Sequence, residues 1–449
     1  MLYRFLKKGV DMATVLRDYT YWPRGLAILL QAGHKISPGI INAAWRANDV
    51  ATFQLLFESR NLHPGCGDIH TISHPRHPNN EIRKIIVKAL ALRRRQLHDL
   101  ALTHLPSETV SRLQIKSNSL LGFDSAEAYL LLKKQDLVID MTEEEHGWLI
   151  YEAVGSDVQL ADLLWDAGFR DVDDLNDVGE TALMRLGNHD FQNPEEPLPL
   201  GILEMAEWLI SKGANINHMK SDSPALHYLG YSVGSDTQLV SPWIKSDQFS
   251  QVSKSCKILM LKIFLNSAQD TCCCFCSPVG GCSALTRYLD GLFPVRSTIS
   301  HPFEKQFSAL VRMLQYFTIW LNPSYRQFFE DTVASQILRF LTFRILDITH
   351  TCAHNRHSAG QSSLMLESID PEEVREIYEE EDLLIQELEY LASELLSEWK
   401  ASKISFVEFL SKNWARHMDE VLPAKASLSD EELSRIRNIG VVLNNYPVY

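Results

Sequence analysis

Five cysteines crowd into eleven residues: Cys272, Cys273, Cys274, Cys276 and Cys282. Thiols can be nucleophiles, redox groups or metal ligands. In a reducing compartment, a cluster reads first as a metal-binding or reactive site rather than a disulfide framework. Cys272, Cys274 and Cys276 alternate, so an extended chain aims all three thiols to one side. Ser277-Pro278-Val279-Gly280-Gly281 is a turn sequence that can bring Cys282 back beside them. Thiolates so placed suit the roughly 2.3 Å bonds of tetrahedral zinc. Farther along, His350-Thr351-Cys352 closes a helical stretch, with His354 and His357 behind it. The candidate zinc ligands are therefore Cys272, Cys274, Cys276, Cys282, His350 and Cys352. Four of them would hold one ion, with Cys274, Cys276, Cys282 and Cys352 preferred and His350 as the alternate. Cys273, out of phase, points away. The expected role is structural, because a site saturated by protein ligands leaves no position for water or substrate. The plainer reading, small buried hydrophobes, fits poorly with five cysteines beside turn formers.

Other groups are weaker candidates. Gly230-Tyr231-Ser232-Val233-Gly234 matches G-x-S-x-G, which in a hydrolase follows a strand and opens a helix so that the serine projects as nucleophile. Here it follows a helical stretch, Leu226 to Leu229, so catalysis by Ser232 is the minor alternative. Arg83, Lys84, Lys88 and Arg93-Arg94-Arg95 make a basic helix stretch, which as a nucleic-acid contact is a second alternative to a solvated face. His63, Cys66, His70, His74 and His77 follow no common zinc spacing.

Composition frames these choices. The chain has 449 residues, 45% hydrophobic and 22% charged, so two to four domains or an elongated repeat array are expected. No apolar run approaches the roughly 18 residues of a membrane span. The N-terminal residues contain no long apolar signal segment. A cytoplasmic or nuclear protein is the expectation. The net charge of −14 argues against a general nucleic-acid binder. Thirteen acidic residues against Arg375 and Lys400 lie between Glu367 and Lys400, so the acid belongs to one segment.

The elements that must position the cysteines are helical. Leu163-Leu164-Trp165-Asp166-Ala167-Gly168 and Leu209-Ile210-Ser211-Lys212-Gly213 each end an apolar helix on a glycine, the residue that takes the left-handed stop. Gly179-Glu180-Thr181-Ala182-Leu183 and Ser223-Pro224-Ala225-Leu226-His227 follow, each like the ankyrin start T-P-L-H-x-A. Leu183 and Leu226 are 43 residues apart, against about 33 for an ankyrin repeat. The excess matches a proline-rich stretch, residues 190–200, which reads as an inserted loop. Weaker copies lie at Phe5 to Asp11 and Leu29 to His34. In the C-terminal third, Asp370-Pro371-Glu372-Glu373 caps a helix. Ile377, Leu384, Leu388, Leu391, Leu395 and Trp399 form one apolar stripe, and Phe406, Leu410, Trp414 and Met418 a second.

Four stretches carry a family resemblance. Asp270-x-Cys272-x-Cys274-x-Cys276-Ser277, then Gly281-Cys282-x-x-Leu285, resembles a Cys-rich motif in uncharacterised ankyrin-repeat proteins of filamentous fungi. Arg94-Arg95-Gln96-Leu97 with Leu105-Pro106, Gly168-Phe169-x-Asp171-Val172-Asp173, and Leu341-Thr342-Phe343 with His350-Thr351-Cys352 are similar too. This chain differs by one extra residue between Ser277 and Gly281 and by Cys273. The resemblance covers most of residues 80–420. It implies an intracellular interaction protein and no known activity. The expected fold is all-α: an irregular ankyrin-like helical solenoid, a Cys-rich module and a C-terminal helical hairpin. The segments are 1–60 (degenerate ankyrin-like helices), 81–140 (a helical bridge), 143–235 (ankyrin repeats), 255–357 (the Cys-rich, zinc-stapled module) and 370–449 (acidic helices). The expected partner is a protein, with no membrane and no small-molecule substrate.

Overall fold

A computed structural model describes residues 24, 27–28, 31, 48–58, 65–73, 79–135, 137, 148–187, 201–220, 222–239, 252–277, 281–294, 303–352 and 370–426. The weaker repeat copies, the loop at 190–200, His63, His74, His77, His354, His357 and the residues beyond 426 lie outside them. The described residues are all-α, apart from one hairpin of two-residue strands, β1 (Met219–Lys220) with β2 (Ser223–Pro224). They divide into two units: Met1–Val240 with Gln251–Ile263, and Ser241–Ser250 with Phe264–Tyr449.

In the first unit, α1 (Val50–Glu58) and α2 (Cys66–Ser73) precede the long α3 (Asn80–His104). Asn79 caps α3 by accepting from the Glu81 and Ile82 amides, which would otherwise be left without helical partners. Its apolar residues Ile82, Ile86, Leu90, Leu97 and Ala101 are buried. The basic stretch is not one solvated face. Arg83, Arg93 and Arg94 are buried, Arg83 pairs with Asp157, and Arg94 donates to the carbonyls of Leu121 and Gly122 at 3.3 and 2.6 Å. Lys84, Lys88 and Arg95 remain exposed.

After α4 (Ser107–Arg112) and α5 (Ser125–Lys133) come two short helix pairs. These are α6 (Ile150–Val154) with α7 (Val158–Ala167), and α8 (Ala182–Arg185) with α9 (Gly201–Ser211), before α10 (Ala225–Leu239). Gly168 and Gly213 end α7 and α9 at φ +118° and +107°. The segments after these glycines stack. Asp173 accepts from the Asn215 amide at 2.9 Å, and Trp165 lies under the cations of Arg170 and Lys212 at 4.5 and 4.9 Å. A third layer comes from residues 116–123. The Leu120 amide donates to Gly168 at 3.0 Å, Ser119 Oγ accepts from the Arg170 and Asp171 amides, and Asp174 accepts from the Phe123 amide at 2.7 Å.

Helix α11 (Lys254–Leu265) belongs to the first unit up to Ile263, and the second unit begins again at Phe264, whose ring lies 5.1 Å from Tyr288 and 5.6 Å from Phe317. The remaining helices are α12 (Ala284–Leu292), α13 (Phe303–Trp320), α14 (Pro323–Ile345), α15 (Pro371–Glu380), α16 (Asp382–Ser402), α17 (Phe406–Phe409) and α18 (Ala415–Ala426). Helix α14 packs against α12, α16 and α18. It is accordingly apolar on several sides, burying Phe329, Ile337, Leu338, Phe340, Leu341 and Phe343. The C-terminal stripe differs from a single helix: the chain breaks at Glu381, and Ile385, not Leu384, enters the core. The break frees the Glu381 carboxylate to accept from Thr349. The second stripe is buried throughout. Its intervals of four would drift by about 40° each on an α-helix, and a π-helical turn at Leu410–Trp414 takes up that drift.

Candidate metal centre

The cysteine turn is an enlarged copy of a turn found in the first unit. Asn176 donates its amide to the Glu180 carbonyl at 3.0 Å, and its side chain accepts from the Glu180 amide at 2.8 Å. Asp270 does the same with Cys282: amide to carbonyl at 3.0 Å, and Oδ1 accepting from the Cys282 amide at 2.8 Å. Each turn closes on a bridge, Leu175 with Thr181 and Gln269 with Ser283. Each reads Gly-x-Thr/Ser-Ala-Leu into the next helix: Gly179 to Leu183, and Gly281 to Leu285. The second turn has a longer loop, and the cysteines occupy it.

Gly281 has φ +116°, and a Cβ there would stand 1.9 Å from the Asp270 carbonyl oxygen. Asp270 Oδ1 also accepts from the Cys272 amide at 3.0 Å, and Oδ2 accepts from Arg287 at 2.6 Å. One buried carboxylate therefore holds both arms of the turn and a buried cation. Ser283 caps α12, and its hydroxyl donates to Gln336 on α14 at 2.6 Å. At the other end, Asp347 takes φ +55° after α14 and reverses the chain. That reversal delivers His350 and Cys352 to the cysteine turn.

All six candidate ligands come together. Cys352 Sγ lies 3.2 Å from Cys272, 3.3 Å from Cys282 and 3.7 Å from Cys276. Cys276 and Cys282 are 3.5 Å apart, and Cys274 Sγ lies 3.6 Å from His350 Nδ1. The donor atoms form two overlapping groups within 4.8 Å: Cys274, Cys276, His350 and Cys352, and Cys272, Cys282 and Cys352. The geometry thus places His350 in the four-ligand group and Cys282 in the group of three. Cys274, Cys276, Cys282 and Cys352 are buried, whereas Cys273 is exposed.

The surroundings fit a metal. The buried His350 ring turns Nδ1 to the thiols and Nε2 to the buried Asp290 carboxylate, 3.6 Å away. A carboxylate behind the imidazole, in ion-pair range though not hydrogen-bonded, is the arrangement that orients a metal-binding histidine. Burial opposes ionisation of Cys274, but hydrogen bonds from neighbouring thiols and the charge of His350 outweigh it and hold its thiol well below the usual range. Hydrogen bonds from Cys272, Cys276 and Cys352 do the same for Cys282, beside Arg287. Burial works against the His350 cation, yet the Cys274 thiolate and Asp290 push it up to about 9. Burial drives Cys276 and Cys352 upward. Ligands must be deprotonated to bind: the pocket already favours charge on two of its thiols, whereas His350 must release its proton to an incoming ion. Over the cluster, Tyr378 of α15 donates to the Cys273 carbonyl at 2.6 Å and meets Thr351 Oγ1 at 2.9 Å. Arg339 of α14 donates to the Phe275 carbonyl at 2.8 Å.

Asp270 and Gly281 stand in the Cys-rich motif of the sequence, but without the role the structure gives Asp270, and Arg287, Asp290 and Tyr378 stand in no motif. The signal for Asp270 and Gly281 was the repeated Gly-x-Thr/Ser-Ala-Leu. For Arg287 and Asp290 it was a charged pair three apart on the short segment that follows. The other candidates lie elsewhere. Cys66 accepts from Arg94 at 3.5 Å, while His70 stacks on Trp148 at 4.9 Å. Ser232 is buried in the middle of α10, not at the turn where β2 meets the helix. No protein-family model, curated protein or solved structure matches the chain.

Proposed function

We propose that this chain is a protein-interaction scaffold: an ankyrin-like array of stacked helix pairs and turns, joined to a module held by a structural zinc ion. The observation that carries the metal reading is the convergence of Cys274, Cys276, His350 and Cys352 within 4.8 Å. Buried sulfur and imidazole donors in a set of four suit zinc. Four protein ligands leave the ion no open position, so its role is to tie the cysteine turn to the end of α14. The stacked turns support the array reading. Their tips carry exposed apolar side chains, Val178 and Met219, where a helical repeat array meets its partner. The resemblance to ankyrin-repeat proteins of filamentous fungi points the same way, as does a reduced thiol site in the cytoplasm or nucleus.

Hydrolysis through Ser232 has no support, because a nucleophile inside a buried helix reaches no substrate. A nucleic-acid contact through α3 loses Arg83, Arg93 and Arg94 to the protein interior. No helix among the described residues is long and apolar enough to cross a membrane. Two measurements test the reading. Elemental analysis of reduced, folded protein purified without chelator should find zinc, and a content near zero would sink the metal. Affinity capture should recover protein partners whose retention falls when Val178 and Met219 become Asp. Partners unaffected by both changes would remove the turn tips from the account.

A further inference from the structure

We propose that the six ligands hold two zinc ions, not one, in a thiolate cluster bridged by Cys352 and Cys276. The inference rests on the metal reading above and extends it. One tetrahedral ion is satisfied by Cys274, Cys276, His350 and Cys352, which would leave Cys272 and Cys282 as spectators. Their positions contradict that. Cys272 and Cys282 approach Cys352 to 3.2 and 3.3 Å, closer than Cys276 at 3.7 Å, which belongs to the four-ligand group. The three sulfurs form a ligating group of their own, and Cys352 belongs to both groups.

A thiolate has lone pairs enough to bind two dications. Cys276 stands 3.5 Å from Cys282 and 3.7 Å from Cys352, so sharing it supplies the fourth position of the second ion. Two tetrahedral ions need eight donor positions, and six ligands with two shared between the ions supply them. Bonds of roughly 2.3 Å imply sulfur–sulfur edges of about 3.8 Å, so the observed contacts need open by up to about 0.6 Å, and Cys276 joins the second ion from outside the group of three. A disulfide is the competing use of the closest pair, but sulfurs 3.2 Å apart are far from the roughly 2.05 Å of that bond.

Charge favours the pair of ions as well. One dication among five thiolates would leave either three uncompensated buried charges or two protonated thiols crowded against a thiolate. Two dications leave a single negative charge beside Arg287, whose guanidinium Asp270 holds in place. Asp270 also fixes the backbone of Cys272 and of Cys282. The ligands that only the second ion uses are therefore the two that the turn positions most firmly.

Native mass spectrometry of the reduced full-length chain, loaded with zinc and desalted, tests this. Two zinc ions per chain are expected, falling to one in Cys272→Ser and staying at two in Cys273→Ser. One zinc in the parent protein would overturn the dinuclear cluster and leave the single staple standing. None would overturn both. Two zinc ions retained in Cys272→Ser would remove the second ion from the proposed ligands.

Discussion

Asp270 is the side chain on which the cysteine turn depends most. Asp270→Ala strips the acceptor from the Cys272 and Cys282 amides and the partner from Arg287, all at a carboxylate only 5% exposed. Removing one member of a buried ion pair costs about 3 to 5 kcal/mol. A buried amide left without a partner costs about 1 to 3 kcal/mol. These effects overlap, because the emptied turn can relax toward water and Arg287 still faces Asp290. A net loss on the order of 4 kcal/mol follows. For a unit of this size that corresponds to a fall in Tm of roughly 8 to 16 °C. Asp270→Asn keeps an oxygen for the two amides but turns an NH2 donor towards Arg287 where an oxygen accepted, so the ion pair is lost, the turn is kept, and about half the effect is expected. Neither change removes a metal ligand, yet zinc affinity should fall about 10- to 100-fold, as it does when a group orienting the ligands is lost. Thermal unfolding followed by circular dichroism, with zinc affinity from competition against a chromophoric chelator, reads both. Asp270→Ala with its Tm within about 1 °C of the parent and unchanged zinc affinity would refute the reasoning.

Three further outcomes follow from the geometry. Gly281→Ala forces a Cβ to 1.9 Å from a backbone oxygen at φ +116°, and a loss above about 2 kcal/mol is expected in denaturant unfolding. Gly179→Ala, at φ +78° with nothing within 4 Å, should lose only about 1 kcal/mol, and equal losses would dissolve the distinction. Gly213→Val places a branched residue at φ +107° and should lower stability by more than about 1 kcal/mol, so an unchanged melting temperature would remove the turn assignment. Burial pushes the Asp174 carboxyl up to about 6, despite its bond from the Phe123 amide, whereas an unfolded Asp titrates near 3.9. The folded state therefore holds the extra proton between these values, and the charged carboxylate is a liability above pH 6 that disappears as pH falls towards 4. Asp174→Asn should raise stability on the order of 2 kcal/mol at pH 7.5 and by little near pH 4. A gain independent of pH would show that the carboxyl titrates normally.

The candidate ligands were legible in the sequence because their spacing is local. Alternating cysteines ahead of a turn, and a His-x-Cys at a helix end, are legible without a fold. Which donor joined which group was not, since Cys272 and Cys352 are 80 residues apart and only the reversal at Asp347 brings them together. The helix stops at Gly168 and Gly213 were legible for the same local reason. The third stacked layer, residues 116–123, was not. It uses the Ser119 hydroxyl and the Leu120 amide in place of a glycine stop, and those follow no periodic pattern. The acidic stripe misled at Ile377 and Leu384, because a helix break at Glu381 shifts the buried face by one residue. The basic stretch of α3 misled because arginines enter an interior when carbonyls and Asp157 receive them, and a count of charges cannot reveal that.

Hydrogen exchange under chelation tests the staple most directly. The reduced full-length chain is exposed to a zinc chelator, and amide protection is followed along the sequence. Metal binding and local folding are coupled when distant segments supply the ligands. Protection should therefore fall first in residues 269–290 and 340–352, while residues 158–187 and 201–235 keep theirs. Unchanged protection of the cysteine turn, or simultaneous loss in both regions, would contradict the account.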